Sequence, residues 1–348
     1  MTTKPLLRDE ITMKLRKLVI QHQGDKLVRI EAERDLARRF RVSRISLRAA
    51  IKNLADEGLV ARKRGSGTYV LPKQLLSTIH VLLAPDIKPQ DPFYIGFMSE
   101  LSHRLASSAT HLKMLGADHK FDGCYDAPLV IVGKLERTLL LRLKGHYSHI
   151  ITTFNYSSSE GLNQICYDDY EIGREAAMLL HGRGVSRLVH LAGPDHYSSS
   201  LQRKFGFLHA CEEIGVKPAI IEGKMNWSSG YQLGETVARL CKRSNGRTGI
   251  FAANDWMAIG LVQRLAELGV TVPNDLSIIG CDNIPLSREI SPQLATFDLD
   301  MELLVTDLFS TLHSLIQSQS TTQKRVLLRA KFVDRESLAH VETAAAVR

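Results

Sequence analysis

The chain has 348 residues, 44% of them hydrophobic and 24% charged, with a formal net charge of +8. That length suggests two or three domains, and the absence of any long apolar run excludes a helical membrane span. The first ten residues carry Lys4, Arg8, Asp9 and Glu10 without the apolar stretch of a signal peptide, so a cytoplasmic location is expected. The five cysteines, Cys124, Cys166, Cys211, Cys241 and Cys281, are widely spaced and never form a CxxC pair. That spacing argues against a zinc site or a disulfide framework, and no metal or cofactor is expected.

The charge is unevenly placed. Residues 1–73 hold 18 Lys+Arg against 8 Asp+Glu, and the remainder holds 27 against 29. Basic residues spread over several elements of one small module point to a polyanion, and nucleic acid fits better than a membrane surface.

Leu7, Ile11, Leu15 and Leu18 predict an amphipathic helix over 6–22. A second helix is expected over 31–40, and a third over 44–57, with Ser43 as its N-cap and Gly58 ending it. On the third, Leu47, Ala50, Ile51 and Leu54 form an apolar stripe beside a basic one of Arg44, Arg48 and Lys52. Two helices joined by a tight turn, the second with polar and basic residues near its start, form a helix-turn-helix pattern. Residues 59–70 then read as a β-hairpin with a basic, glycine-rich tip that places Arg64, Gly65 and Gly67 as candidate DNA contacts.

The stretches Glu33-Arg34-Asp35-Leu36-Ala37, Val42-Ser43-Arg44, Leu47-Arg48-Ala49-Ala50, Glu57-Gly58-Leu59-Val60 and Gly65-Ser66-Gly67-Thr68-Tyr69-Val70 resemble the winged-helix signature of the GntR family. The resemblance covers about 6–72 and implies DNA contacts at Arg34, Ser43, Arg44, Ser46, Arg48 and Gly65. The chain departs from the family at Arg29-Ile30, where Leu-Pro is usual.

The expected organisation is a winged helix-turn-helix domain over 1–72, a linker over 73–78, a second module over 79–338 and a disordered tail over 339–348. In the second module, strand candidates at 79–84, 111–116, 129–133, 148–153, 164–167, 187–192, 218–221, 248–252 and 276–280 alternate with helices. The helices are expected at 93–107, 172–182, 201–214, 230–243, 256–268 and 301–317. Such alternation predicts parallel sheets covered by helices, and about 260 residues divide naturally into two α/β lobes. Ligands of such folds bind beyond the carboxyl ends of the strands. There lie Asp168 and Asp169, Arg203, Trp227, Asn254 and Asp255, and Asp282 and Asn283. Carboxylates, amides and a guanidinium can grip vicinal hydroxyls, and an indole can cover a sugar ring. Asn254 and Asp282 could equally cap loops or helices, and Trp227 could be core; Asp255 reads first as a cap and His190 as core.

Asp168-Asp169-Tyr170-Glu171-Ile172-Gly173, Arg203-Lys204-Phe205-Gly206-Phe207, Ala252-Ala253-Asn254-Asp255 and Ile279-Gly280-Cys281-Asp282-Asn283 resemble the LacI/GalR repressors and periplasmic sugar-binding proteins. The resemblance covers about 79–338. It implies a two-lobed periplasmic-binding-protein-like α/β/α sensor with effector contacts at Arg203, Asn254 and Asp282 and stacking by Trp227. Asp86 and Phe93 match the first-lobe contacts. Two departures stand out: the stretch from 116 to 129 is too short for the family's helix, and Cys281 replaces an aromatic residue. The combined architecture is similar to that of arabinose-type repressors. It implies a homodimeric repressor that reads a near-palindromic double-stranded DNA operator under control of a small molecule, a carbohydrate. An enzyme is disfavoured, because no P-loop, GxGxxG after a strand, GxSxG or HExxH motif is present. A body that dimerises and senses nothing is the remaining rival.

Overall fold

The apolar spacing of the first seventy residues closes around one small core. In the computed structural model, α1 (Leu7–His22), α2 (Glu33–Phe40) and α3 (Arg44–Asp56) bury Ile11, Leu15, Leu36, Leu47, Ile51 and Leu54 against one another. The structure describes residues 7–22, 28–56, 59–63, 67–70, 77–85, 87–88, 90–106, 110–116, 118–156, 160–242, 246–318 and 323–339. Most of the expected linker and tail therefore lies outside the described residues, as do Arg64, Gly65 and Asp86.

The turn between α2 and α3 is made by Arg41, whose φ of 53° is left-handed. Its N–H reaches the Arg38 carbonyl at 3.1 Å, and the Val42 N–H reaches Ala37 at 3.0 Å. These bonds satisfy carbonyls that the end of α2 leaves free. Ser43 then caps α3, its hydroxyl accepting the Ser46 N–H at 3.1 Å. The hairpin is β2 (Val60–Lys63) against β3 (Gly67–Val70), antiparallel with Val60 opposite Val70. A two-residue strand, β1 (Val28–Arg29), pairs with the other edge of β3. It is too short to show a period, and the sequence reading passed over it.

The chain divides into two compact units, the second beginning at Thr78. The second unit has two lobes. Among the described residues, the first lobe is a six-stranded parallel sheet of order β14-β8-β7-β6-β4-β5. Its strands are β4 (Thr78–Leu83), β5 (His111–Leu115), β6 (Leu129–Val132), β7 (Ile150–Thr152), β8 (Asn163–Tyr167) and β14 (Arg325–Leu328). α4 (Pro92–Ala106), α5 (Arg137–Lys144) and α10 (Met301–Ser318) belong to this lobe. The second lobe has the order β10-β9-β11-β12-β13-β15, with only β15 antiparallel. These are β9 (Arg187–Ala192), β10 (Ala219–Glu222), β11 (Thr248–Ala252), β12 (Leu276–Asp282), β13 (Ala295–Asp298) and β15 (Lys331–Val333). Its helices are α6 (Asp169–Gly182), α7 (Ser198–Glu213), α8 (Trp227–Lys242) and α9 (Asp255–Glu267).

The chain crosses between lobes after β8, after β13 and between β14 and β15. The crossings are tied together: the Tyr167 hydroxyl donates to the Leu299 carbonyl, and the Asp168 N–H to Leu328 at 2.9 Å. Two helix pairs of the second lobe approach backbone to backbone. A Cβ on Gly206 would stand 1.8 Å from the Tyr170 carbonyl oxygen, and one on Gly230 would stand 1.9 Å from that of Met257. Those glycines let α6 meet α7, and α8 meet α9, near the ends that face the cleft.

The connection from β5 to β6 holds no helix among its described residues. An aromatic cluster packs it instead. Tyr125 stacks on Tyr147 with centroids 4.8 Å apart, and the Tyr147 hydroxyl lies 2.7 Å from His80 Nδ1. The first lobe is thus shortened on that side but remains closed.

Candidate functional site

Each unit presents one candidate surface. In the first, the start of α3 is exposed. Arg44 is exposed and has no acidic partner among the described residues. The Arg48 Nε lies 2.8 Å from the half-buried carboxylate of Glu33 on α2, a pair that braces the two helices while leaving the Arg48 side chain half open to solvent. Arg34 is exposed beside Asp35, 3.6 Å away. The Ser43 hydroxyl is engaged as the cap of α3, and Ser46 Oγ lies 2.9 Å from it. Gly67 has a φ of 119°, and a Cβ there would meet Arg29 Nε at 3.0 Å, so this glycine has a structural duty of its own. One residue escaped the sequence reading: Ile45, 82% exposed between Arg44 and Ser46. A large apolar side chain so exposed on a polar helix start is the signal that could have found it.

In the second unit a cavity of about 430 Å³ lies between the lobes. The first lobe lines it with Asp91, Phe93, Tyr94 and Asn155, the second with Asp169, Arg203, Lys224, Asn254 and Asp282, among others. The helix starts position several of these. Asp91 precedes Pro92 and accepts the Phe93 N–H at 2.9 Å, opening α4. Asn254 accepts the Met257 N–H at 3.0 Å to open α9 and donates to the Met225 carbonyl at 3.0 Å.

Arg203 is buried, 3% exposed, at the centre of the polar wall. Its Nε and Nη2 lie 3.0 and 2.9 Å from one oxygen of Asp169, and Nη1 donates to the Ala253 carbonyl and stands 3.8 Å from Asp282. Asn155 donates to the other Asp169 oxygen at 3.4 Å. Burial raises the Asp282 carboxyl well above the usual range, against the pull of Arg203. Burial also raises Asp169 and Asp91. Asp282 (φ 120°) and Asn283 (φ 55°) are left-handed without being glycine, which costs free energy. Asn283 accepts from Arg335 at 2.6 Å, one contact that holds this turn.

Four expected effector residues, Phe93, Arg203, Asn254 and Asp282, thus line one cavity, although Asn254 is also a cap. Two do not line it. Asp168 turns to cap α6, accepting the Glu171 N–H at 3.2 Å, and its neighbour Asp169 takes the cavity position. Trp227 stacks on Tyr231, with centroids 5.1 Å apart, and packs against the core of its lobe. Asp255 is fully buried and receives the Ile284 N–H at 3.0 Å; burial raises its carboxyl to about 7. His190 is core, stacked on Phe251 and lowered by burial to about 4. Asn155, Asp91 and the two lysines of the lining were missed. Asp91-Pro92 carried a readable helix-start signal, whereas Asn155, in the loop after β7, is tied to the cavity wall through the Tyr167 carbonyl and Asp169.

Residues 7–70 match the family model described as bacterial regulatory proteins, gntR family, and residues 177–338 match the periplasmic binding protein-like domain. The probable HTH-type transcriptional repressor ExuR of Bacillus subtilis is 31% identical over 185 residues, 52% of this chain and 55% of that protein. The chain therefore aligns with about half the length of that relative. The HTH-type transcriptional repressor PurR of Edwardsiella ictaluri is 28% identical over 242 residues, 68% of this chain and 69% of that one. A LacI family transcriptional regulator from Enterococcus faecium, solved with bound ribose, superposes with a TM-score of 0.62 at 23% identity. That superposition covers 75% of this chain and 98% of the other, and it establishes the two-lobed fold of the body. Among the described residues no helix is long and apolar enough to cross a membrane.

Proposed function

We propose that this chain, a gntR-family DNA-binding head joined to a periplasmic-binding-protein-like body, is a transcriptional repressor controlled by a carbohydrate held between its lobes. The observation that carries the reading is the presence in one chain of an exposed basic helix start and a polar cleft built around a buried guanidinium. At the head, Arg44 reads a base edge in the major groove and Ser46 adds a base or phosphate contact. Ile45 meets a thymine methyl, while Arg34 and Arg48 hold phosphates. Arg64, Gly65 and Gly67 bring the hairpin to the backbone, and Ser43 contributes by fixing the start of α3.

In the body, Arg203, Asn254, Asp282 and Asp169 bind hydroxyls, while the rings of Phe93 and Tyr197 cover apolar faces of the ligand. Asp86, outside the described residues, is proposed as a further effector contact. Two copies associate through their bodies, so two heads read a near-palindromic operator. The protein acts in the cytoplasm and turns over no substrate. Ligand control requires that the effector bind the DNA-competent and incompetent conformations with different affinity.

The test is operator binding by the full chain, measured by fluorescence anisotropy on DNA from upstream of its own gene, with salt and sugars varied. Log affinity should fall steeply with log salt as phosphate counterions are released. One sugar should change operator affinity by roughly 5- to 150-fold. Operator binding that ignores every sugar that binds the protein would sink the control mechanism and leave a body that only dimerises.

A further inference from the structure

In the buried part of the cavity wall the donors are used and several acceptors are not. Arg203 places its donors on Asp169 and the Ala253 carbonyl. Asp282 is treated differently. Its side chain is 8% exposed and lines the cavity, yet among the described residues its carboxyl has no hydrogen bond. Its contact with Arg203 is a loose one, 3.8 Å from an Nη1 that already donates to Ala253. Asp91, on the opposite lobe, is half used. One oxygen accepts the Phe93 and Tyr94 N–H groups at 2.9 and 3.4 Å, and among the described residues the other accepts nothing. Thr153, in the same lining, is 4% exposed and its hydroxyl has no partner. The edge-to-face contact of Phe93 with Phe154, centroids 6.4 Å apart, brings the loop of Thr153 beside the start of α4.

The balance of buried charge points the same way. Asp169 and Asp282 share one guanidinium, so one of their two negative charges is left over. Asp255, fully buried, adds to the negative charge around Asp282, and Asp91 acts on it from the other lobe. Burial and these neighbouring acids raise the Asp282 carboxyl, and burial raises Asp91, so the protein supports their charge poorly. Lys88, Lys224 and His196 also line the cavity, but all three are exposed, and water rather than protein surrounds them. Closing the lobes on a neutral ligand would press Asp91 toward Asp282 with no cation between them.

We infer that the effector is an amino sugar, its ammonium held between Asp91 of the first lobe and Asp282 of the second, with the Thr153 hydroxyl as a further acceptor. This rests on the reading of the cavity as the effector site and narrows the class of ligand. An ammonium has three donors and no acceptor, which matches an unbonded carboxyl, a half-bonded one and an unpartnered hydroxyl. A sugar hydroxyl can fill one of those places but cancels no charge. Asp282 has two oxygens, so it can hold the ammonium and still accept from a neighbouring hydroxyl. A cation between the two acids gives both lobes a reason to close on one group.

The experiment is calorimetric titration of the full chain at pH 6.5, where the amines are charged. Glucose, galactose and mannose are compared with glucosamine, galactosamine and mannosamine, and these with their N-acetyl forms. Asp91→Asn and Asp282→Asn are titrated alongside. Both variants should fold, since Asn caps a helix as Asp does and tolerates a left-handed backbone. At least one amino sugar should bind about tenfold or more tightly than its neutral parent and its N-acetyl form, the scale of a charge-assisted hydrogen bond. Each substitution should cut that ratio about tenfold, whatever it does to the neutral sugar. Amino, neutral and N-acetyl sugars that bind alike, or a ratio that survives either substitution, would overturn the inference and leave the effector reading standing. No binding by any of these sugars would overturn both.

Discussion

The start of α3 and the wall around Arg203 use the same kind of residue in opposite ways. Among the described residues Arg44 stands in solvent without an acidic partner, and Arg48 pairs with the half-buried carboxylate of Glu33. Arg203 is buried and its donors are already placed on Asp169 and Ala253. An exposed guanidinium is cheap to keep and free to move, so it suits a partner that supplies its own dense charge and is met by diffusion. A buried one is costly to keep unless paired, and the pairing fixes its direction before any ligand arrives. On the proposed function, the head would gain affinity from charge neutralisation, whereas the cleft would gain specificity from groups that are already oriented.

Arg203→Ala tests this contrast most severely. It leaves Asp169 and Asp282 buried without their cation and should lower the stability of the body by about 3–5 kcal/mol in chemical denaturation. The loss should shrink toward pH 5, where the carboxyls can be protonated. An unchanged denaturation midpoint at pH 7 would mean that the guanidinium is not what supports the wall. Arg44→Ala should behave in the opposite manner. It should cost about 1–3 kcal/mol of specific operator binding and leave the denaturation midpoint where it is.

The buried acids also set a pH dependence in the ligand-free body. Asp255 is raised from 3.8 to about 7, so between those values the folded state holds a proton that the unfolded state has released. Its contribution to stability is therefore greatest below pH 4, is lost as pH rises through about 7 and is flat beyond. His190, lowered from 6.5 to about 4, acts on the acid side, its contribution being lost as pH falls through that range. Melting temperatures should decline from pH 6.5 to pH 8, above the range in which His190 opposes the trend, and Asp255→Asn should flatten the decline. The smallest effect is expected at the head's turn. Arg41→Gly relieves a left-handed backbone and should stabilise the head by up to about 1 kcal/mol, the gain offset in part by the greater freedom of glycine when unfolded. A lower melting temperature for the isolated transition of the head would show that the Arg41 side chain contributes more than its backbone costs.

Much of this was legible in the sequence because it is local. The stripe of Leu47, Ala50, Ile51 and Leu54, the Ser43 cap and the order of strands and helices from β4 to β12 depend on neighbours a few residues away. What escaped depends on distant partners. β14 is four residues long and gains its identity by pairing with β8, some 160 positions earlier. β13 and β15 complete each other in the same manner. α5 buries only Leu140 and Leu143 over two turns and was too short to announce itself. The same division holds at the cleft. Phe93 and Asn254, placed by helix starts, and Arg203, in the second turn of α7, were expected at the cleft and line its cavity. Asp168 and Asp169 were both in view, but which of the two faces the cavity is settled by the cap of α6. Trp227 has the composition of a sugar platform and the position of a core residue.

Only residues 329 and 330 separate β14 from β15, and those two strands close the edges of different lobes. During synthesis, the head can fold as soon as its seventy residues have emerged. Neither lobe of the body can finish until residue 333 has been made, and then both finish together. Until then the nascent chain carries the head without a completed body. Any shortening that removes this last hairpin-like passage strips one edge strand from each lobe at a stroke, which makes the body an all-or-nothing product of translation.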